Sequence, residues 1–150
     1  MANVCEYKVI VKGRKNACYA FYGSMSCMDY KEIVSEKGTD EKYEMLFEGD
    51  CKWSVDSYCS PFDGTTPVEL PEDHEEAYQL AEDIYWYKTV QDRSKMFDVE
   101  VKCNSADVED YDPDDGPYQI YEHYKSGVPC KDNMSEDIPK KLRIENPWEE

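Results

Sequence analysis

The fold is decided by residues 98–124, DVEVKCNSADVEDYDPDDGPYQIYEHY, which join the clearest β-pattern of the chain to its densest negative charge. Val99, Val101 and Cys103 alternate with charged residues, as expected of a strand with one buried face. The acidic segment 107–116 contains proline and glycine and predicts a loop. The tyrosine-rich run Tyr118–Tyr124 then predicts a second strand.

The composition of the whole chain predicts a single acidic domain. Its 150 residues include 17 basic and 34 acidic side chains, which give a formal net charge of -17. An apolar content of 40% is too high for a wholly disordered chain. No run of about 18 apolar residues predicts a membrane span, and the first residues lack the pattern of a signal peptide. We therefore expect a cytoplasmic protein with no membrane partner.

The cysteines predict reduced thiols rather than a disulfide scaffold or a metal site. There are seven, an odd number, and none of them forms a C-x-x-C pair. A small buried hydrophobe is the usual role of a free cysteine. We expect most of them to be buried, with no metal and no other cofactor. They are Cys5, Cys18, Cys27, Cys51, Cys59, Cys103 and Cys130.

The N-terminal half predicts a strand, a helix and a hairpin. Val4–Lys12 alternates, with Cys5, Tyr7, Val9 and Val11 on the apolar face. Asn16 is a candidate cap for a helix that continues to Met28. Residues 35–41 then predict a polar link. Two alternating runs, 43–47 and 51–55, flank Gly49-Asp50, which predicts a hairpin with a tight turn at that dipeptide.

The C-terminal half predicts one long helix between a loop and two strands. Residues 60–71 are rich in Pro, Gly and Thr and predict the loop. Asp73 and Glu76 form a capping-box-like start of the helix, and Arg93 lies near its end, where the helix dipole favours a cation. The inward stripe of the helix contains Ala77, Leu80, Ala81, Ile84, Tyr87 or Lys88, and Gln91, and Tyr85 and Trp86 widen it. In the tail, Leu142, Ile144 and Trp148 are candidates to pack back onto the domain.

The order of the elements predicts an α+β fold of the ferredoxin-like, split βαβ type. The pattern is β-α-β-β-α-β plus one extra strand, in an antiparallel-rich sheet with two helices on one face. Right-handed crossovers place the strands of Val4–Lys12 and Val99–Cys103 side by side near the centre of the sheet. We expect residues 1–124 to form this domain and residues 125–150 to form a C-terminal extension.

Three short motifs carry a resemblance to a known family. Residues 1–5 (Met-Ala-Asn-Val-Cys), Lys52-Trp53-Ser54 and Tyr121-Glu122-His123-Tyr124 resemble the YubB-like ferredoxin-like domain proteins of plasmids and phages. The resemblance implies an origin in a mobile element and the same α+β fold. It implies no set of catalytic residues.

Enzyme signatures are absent from the sequence. There is no G-x-G-x-x-G, P-loop, G-x-S-x-G or H-E-x-x-H motif. The segment Asp110–Gly116 resembles a calcium loop, but neither register puts glycine and the required acids at the EF-hand positions. A structural role is the favoured interpretation of His123. The sequence thus predicts no catalytic residue, and an enzymatic activity stays open only as an alternative.

Two acidic clusters stand out from the rest of the chain. Residues 98–122 contain nine carboxylates and one lysine, and residues 69–83 contain seven carboxylates and no lysine or arginine. Alternate residues of an extended chain lie about 6.5 Å apart, a spacing comparable with that of a nucleic-acid backbone. The candidate partner-binding residues are Asp107, Glu109, Asp110, Tyr111, Asp112, Asp114, Asp115 and Tyr118, together with Glu72, Asp73, Glu75 and Glu76.

These clusters predict an acidic inhibitor from a mobile element. It would occupy the basic, nucleic-acid-binding surface of a host nuclease or effector, as anti-CRISPR and anti-restriction proteins do, and its charge opposes direct binding to nucleic acid. A second hypothesis is a small-molecule-binding or enzymatic domain that uses the open sheet face. Its candidate contacts are Lys8, Lys12, Trp53 and His123. A third is an accessory domain whose charge confers only solubility.

Overall fold

The structure is a computed structural model that describes residues 4–25, 29–52, 70–71, 73–87, 89–112 and 116–144. It is an α+β fold in which, over these residues, three α-helices accompany an open, antiparallel, six-stranded sheet. The elements are β1 (Val4–Gly13), α1 (Lys15–Ser24), β2 (Lys31–Gly38), β3 (Tyr43–Lys52), α2 (Glu75–Leu80), α3 (Val90–Phe97), β4 (Glu100–Asp112), β5 (Gly116–Lys125) and β6 (Val128–Pro129). Short 3₁₀ turns lie at Ile84–Trp86 and Lys140–Leu142.

The sheet has the strand order β2-β3-β1-β4-β5-β6, and each strand is antiparallel to its neighbours. β1 therefore lies between β3 and β4, with Val11 opposite both Met45 and Val101. The predicted antiparallel sheet and the predicted neighbourhood of β1 and β4 are confirmed. One extra strand was expected, whereas β5 and the two-residue β6 both extend the sheet.

The core lies between one face of the sheet and the helices. Tyr7, Val9 and Val11 are fully buried on the helix-facing side of β1, as their alternation predicts. Ala20 and Phe21 of α1 are buried against that face. The opposite side of the sheet, which we call the open face, carries polar side chains in the intervening positions. None of the helices formed by the described residues is long and apolar enough to span a membrane.

The hairpin in the N-terminal half lies elsewhere than predicted. β3 runs unbroken through Gly49, and the turn joins β2 to β3, where Thr39 and Lys42 exchange backbone hydrogen bonds of 3.0 and 3.2 Å. Gly38 supplies the positive φ of 113° next to this turn. Gly49 serves a different purpose, because a Cβ there would lie 2.5 Å from the Tyr7 hydroxyl oxygen.

The predicted long helix is divided into α2, a 3₁₀ turn and α3. Thr89 ends the interruption: its Oγ1 accepts a hydrogen bond of 3.0 Å from the Asp92 amide and so caps α3. Ala77, Ala81 and Ile84 of the predicted stripe are buried, but Leu80 and Gln91 are exposed. Trp86, which was predicted to widen the stripe, is 78% exposed. Over the described residues, the fold thus has three α-helices instead of the two that were predicted.

Other terminal features of the helices also differ from the predictions. Arg93 lies in the middle of α3 instead of near a helix end; it is fully buried and donates from Nε to the Tyr87 carbonyl oxygen. Asn16 lies inside α1, which has Arg14 as its N-cap residue. Asp73 has a φ of 69° and precedes the N-cap residue His74, so it does not form the predicted capping box.

Part of the C-terminal segment covers the open face. Leu142 and Ile144 are buried, and the Asn104 side-chain amide donates a hydrogen bond of 2.6 Å to the Leu142 carbonyl oxygen. Trp148 lies outside the described residues. The polar face of β4 and β5 is thereby partly shielded from solvent by residues 130–144.

Candidate functional site

One end of the sheet concentrates carboxylates, and we call it the acidic end. It comprises Glu6 of β1, Glu32 of β2, Glu48 and Asp50 of β3, and residues 107–112 of β4. The strand register brings them together: Glu6 lies opposite Asp50, and Glu32 lies opposite Glu48. Like charges directly across an antiparallel pair destabilise a sheet. The acidic end therefore carries an electrostatic cost, which Lys8, opposite Glu48 on β1, offsets in part.

The titration behaviour of neighbouring groups reflects this charge. Burial raises the pKa of the Glu6 carboxyl, and the charges of Asp50 and Glu48 raise it further, against the opposing effect of Lys8. Burial, followed by the nearby carboxylates of Glu6 and Glu48, raises the pKa of Tyr30 to about 12. Both shifts are those expected where negative charge accumulates.

Asp50 is the structural member of the acidic end. It is buried, and its Oδ1 accepts hydrogen bonds from the amides of Asp29 (2.8 Å) and Tyr30 (3.2 Å). These contacts fix the approach to β2. Glu6 and Glu48, which are half-buried, and the exposed Glu32 remain at the surface of this end.

The acidic segment that was predicted as a loop is largely strand. β4 continues to Asp112, and Tyr111 and Asp112 pair with Pro117 and Gly116 of β5 after a register shift that follows Ala106. Of the candidate residues, Asp107, Glu109, Asp110, Tyr111 and Asp112 belong to the β4 backbone and Tyr118 to β5. The side chains of these six residues, and all of Asp114 and Asp115, lie outside the described part of the chain.

The predicted helix-start cluster lies far from the acidic end. Glu75 and Glu76 are exposed in the first turn of α2, Asp73 is exposed just before it, and Glu72 lies outside the described residues. Glu76 Oε2 accepts a hydrogen bond of 2.6 Å from the side chain of Asn16, which lies three residues after the end of β1. The acidic end surrounds the beginning of β1. Ten strand residues at about 3.3 Å each separate the two clusters by roughly 30 Å.

The end of the sheet beside the helix-start cluster is partly neutralised by bases. Glu44 accepts ion pairs of 3.3 Å from both Lys12 and Lys37. Arg14 lies 3.8 Å from the carboxylate of Glu41. The charge of the domain is thus unevenly distributed, with paired charges at one end of the sheet and like-charge pairs at the other.

The candidates on the open face do not converge on one site. Lys8 lines a cavity of about 900 Å³ beneath the C-terminal segment, whereas Lys12 lines a separate depression of about 780 Å³ at the other end of the sheet. His123 is only 9% exposed. Trp53 lies outside the described residues. Among the described candidates, Lys8, Lys12 and His123 therefore do not form one joint site.

His123 is held between two carboxylates. Its Nε2 lies 2.7 Å from Glu100 Oε2 and its Nδ1 lies 2.6 Å from Asp132 Oδ1. Tyr121 donates a hydrogen bond of 3.0 Å to the other oxygen of Asp132. Each ring nitrogen thus lies within hydrogen-bond distance of a carboxylate oxygen from a different element.

The two carboxyls titrate below their ordinary range. Burial alone raises the pKa of Glu100, but the hydrogen bond and charge of His123, with smaller effects of Lys12 and Lys102, outweigh it and lower the pKa. In the same way, the contacts with His123 and Tyr121 overcome the effect of burial and lower the pKa of Asp132.

This arrangement favours a structural role for His123 over nucleophilic catalysis. Both ring nitrogens are engaged, so neither is available to take a proton from a thiol. Burial, followed by the charges of Glu100 and Asp132, raises the pKa of the nearby Cys130 thiol, the reverse of what an activated cysteine requires. Within the described ranges, no group of three or more His, Cys, Asp or Glu side chains could hold a metal ion.

The five cysteines that the structure describes are free thiols. Cys5, Cys18, Cys51 and Cys103 are buried, as predicted, and Cys130 is half-buried. Cys27 and Cys59 lie outside the described residues. Burial raises the pKa of Cys18 to about 12.

Four polar residues that line the 900 Å³ cavity were not identified from the sequence. They are Gln119 of β5, with Asp137, Lys140 and Arg143 of the C-terminal segment. The signal that could have found the two bases is local composition, because residues 140–143 contain three of the 17 bases of an otherwise acidic chain. Nothing in the sequence pattern distinguishes Gln119.

Comparison with protein-family models, with curated proteins and with solved structures finds no match to this chain.

Proposed function

We propose that this protein is an acidic inhibitor that occupies the basic, nucleic-acid-binding surface of a host protein. The observation that carries the proposal is the acidic end, where Glu6 faces Asp50 and Glu32 faces Glu48 beside the carboxylate-rich end of β4. A target of this kind is a nuclease or another effector, and the mode of action is that of anti-CRISPR or anti-restriction inhibitors.

The physical basis of the proposal is the exchange of repulsion for attraction. Like-charge pairs across the sheet are unfavourable in the free protein, and bound lysines and arginines would relieve them. Residues 107–112 bring four further carboxylates on an extended backbone, in which alternate residues lie about 6.5 Å apart. A net charge of -17 would speed encounter with a basic groove and repel nucleic acid itself.

The finer fold assignment belongs to the same proposal. Read from the other edge, the first four strands have the order β4-β1-β3-β2, with α1 between β1 and β2 and with α2 and α3 between β3 and β4. This order supports a ferredoxin-like, split βαβ fold to which β5 and β6 are appended. It is also the fold that the resemblance to YubB-like proteins of plasmids and phages implies, and an origin in a mobile element remains part of the proposal.

The first test is capture of partners from bacterial lysates with three baits. They are the unaltered chain, a hairpin variant in which the six acids Asp107, Glu109, Asp110, Asp112, Asp114 and Asp115 become Asn or Gln, and a control in which Asp73, Glu75 and Glu76 are neutralised. We expect the unaltered chain and the control to capture a nucleic-acid-binding protein, and the hairpin variant to lose it. Salt and duplex DNA should release the captured protein. Equal capture by all three baits contradicts a role for the hairpin.

The alternative hypothesis, a small-molecule-binding domain, is favoured by one observation. The cavity beneath the C-terminal segment lies on the open face and has the size of a ligand pocket. A metabolite released from the purified protein on denaturation and identified by mass spectrometry would support this alternative. The reading in which charge only confers solubility predicts that the hairpin variant aggregates while no binding activity changes.

A further inference from the structure

The cavity beneath the C-terminal segment is walled by two different parts of the fold. Lys8 of β1 and Gln119 of β5 come from the open face, whereas Asp137, Lys140 and Arg143 come from the covering segment. The burial of Leu142 and Ile144 fixes that segment against the sheet. The cavity therefore lies between two anchored elements and is open to solvent on the side of Asp137, Lys140 and Arg143, which are exposed.

The orientation of the Gln119 amide is set by two backbone groups. The Ile144 amide, which can only donate, lies 2.9 Å from Gln119 Oε1. The Leu142 carbonyl, which can only accept, lies 2.6 Å from Asn104 Nδ2, and that same nitrogen donates to Gln119 Oε1 at 2.8 Å. With its oxygen held by two donors, Gln119 can offer to a ligand its NH₂ group, which forms no hydrogen bond with the residues that the structure describes.

The other polar groups of the cavity are also mostly donors. Lys8, Lys140 and Arg143 form no ion pair within 4.0 Å in the described part of the chain, although acids outnumber bases two to one. Arg143 donates from Nε to the Ile138 carbonyl oxygen at 3.2 Å. This hydrogen bond orients the guanidinium and leaves its two terminal nitrogens as the donors that can reach a ligand. Asp137 is the one carboxylate among the described lining residues.

We propose that this cavity binds a small molecule that carries a phosphate or carboxylate group. An amide NH₂, two ammonium groups and a guanidinium match the acceptor oxygens of such an anion, and arginine suits both groups because its planar fork binds their oxygens in pairs. The ligand is a small anion rather than a nucleic acid, because the net charge of -17 repels a long polyanion. The site specifies the ligand of the small-molecule alternative and does not rest on the inhibitor proposal.

The test is titration calorimetry of the full chain with pyrophosphate and, separately, with citrate. We expect saturable binding of at least one of them at millimolar concentration or below, and the preferred probe assigns the phosphate or the carboxylate source. Gln119→Glu keeps the oxygen that accepts from Asn104 and Ile144 but replaces the NH₂ group by a second oxygen. It should weaken binding at least about tenfold, as should Lys8→Gln, whereas Asp137→Asn should strengthen it.

Lys141→Gln is the matched control, because Lys141 is exposed and next to Lys140 but does not line the cavity. It should leave the affinity within about twofold. The proposal is overturned if neither anion binds, or if Lys141→Gln weakens binding as much as Lys8→Gln and Gln119→Glu do. The hairpin variant should still bind the anion, and Gln119→Glu should still capture the protein partner, so that each proposal can fail without the other.

Discussion

The imidazole Nδ1 of His123 lies 2.6 Å from Asp132 Oδ1, so a side chain of β5 holds the segment that covers the open face. The Asn133 side chain adds a second tie, since its Oδ1 accepts a hydrogen bond of 2.9 Å from the His123 amide. On the opposite side of the ring, Glu100 ties His123 to β4. These contacts attach residues 132 and 133 of the covering segment to β5.

Asp132→Asn should destabilise the protein by about 1–3 kcal/mol, the range for a hydrogen bond that involves a charged group. The substitution keeps the size of the side chain but removes the charge that faces His123. Urea denaturation followed by circular dichroism measures the change in the free energy of unfolding. The control is Glu136→Gln, an exposed acid of the same segment, which should change it by less than about 0.5 kcal/mol. Equal effects of the two substitutions would show that the contact with His123 is not stabilising.

The same contacts predict loss of stability in acid. The pKa values of Glu100 and Asp132 are lower in the folded chain than in the unfolded one, where carboxyls titrate at about 4. The unfolded state therefore binds more protons as the pH falls, and the stability that is present at neutral pH decreases through and below this range. Urea denaturation at about pH 7, 5 and 3 measures the decrease, which should be smaller in His123→Gln. An identical pH profile for both proteins would contradict this account.

Glu6→Gln should stabilise the protein at neutral pH. The raised pKa of Glu6 means that its ionised form is disfavoured in the fold, so the stability that it contributes is complete at low pH and is lost as the pH rises through its folded pKa. Removing the charge should gain a few tenths to about 1 kcal/mol at pH 7, the range for a cross-strand charge pair, and little at about pH 3. Glu82→Gln, on an exposed turn after α2, is the control and should give no gain at either pH. A loss of stability on Glu6→Gln at pH 7 would contradict the description of the acidic end.

The elements with strict alternation could be predicted from the sequence. β1 and the first residues of β4 were expected near their observed positions because they alternate between a buried and a polar face, and burial of one face fixes both strand and orientation. β5 was expected from its tyrosine-rich composition. The pairing of β1 with β4 followed from the order of the elements and the right-handed crossover rule. The helix α1 could also be predicted, because Ala17, Ala20 and Phe21 recur at helical spacing, and all three are buried.

Other features depend on contacts that are distant in the sequence. Gly49 reads as a turn residue, but it is needed because the Tyr7 ring lies against its α-carbon. The continuous helical pattern of residues 73–95 hides the break before Thr89, since the buried face resumes with Val90 and Phe97 after the interruption. Glu6 and Asp50 become neighbours only through the pairing of β1 with β3. The orientation of the Gln119 amide depends on the covering segment, because the Ile144 amide donates a hydrogen bond to its oxygen.

The cysteines should differ in their reactivity according to burial. Of the five cysteines that the structure describes, iodoacetamide should label Cys130 first under native conditions, because Cys5, Cys18, Cys51 and Cys103 are buried. The pKa of Cys18, raised by burial to about 12, makes it especially slow at neutral pH. Peptide mass mapping before and after denaturation in urea compares the sites. Native labelling of Cys18 as fast as that of Cys130 would contradict the described core.

The central claim is tested most directly by competition between this protein and duplex DNA for the partner identified by capture. Fluorescence anisotropy of labelled DNA bound to that partner measures the displacement. We expect the unaltered chain to displace the DNA, and to do so less well as salt shortens the Debye length from about 10 Å at 0.1 M to about 3 Å at 1 M. Neutralising the six hairpin acids should weaken displacement at least about tenfold, chiefly through slower association, whereas neutralising Asp73, Glu75 and Glu76 should not. If the hairpin variant displaces the DNA at low salt as well as the unaltered chain does, this result would contradict the claim that the hairpin carboxylates bind the nucleic-acid-binding surface of the partner.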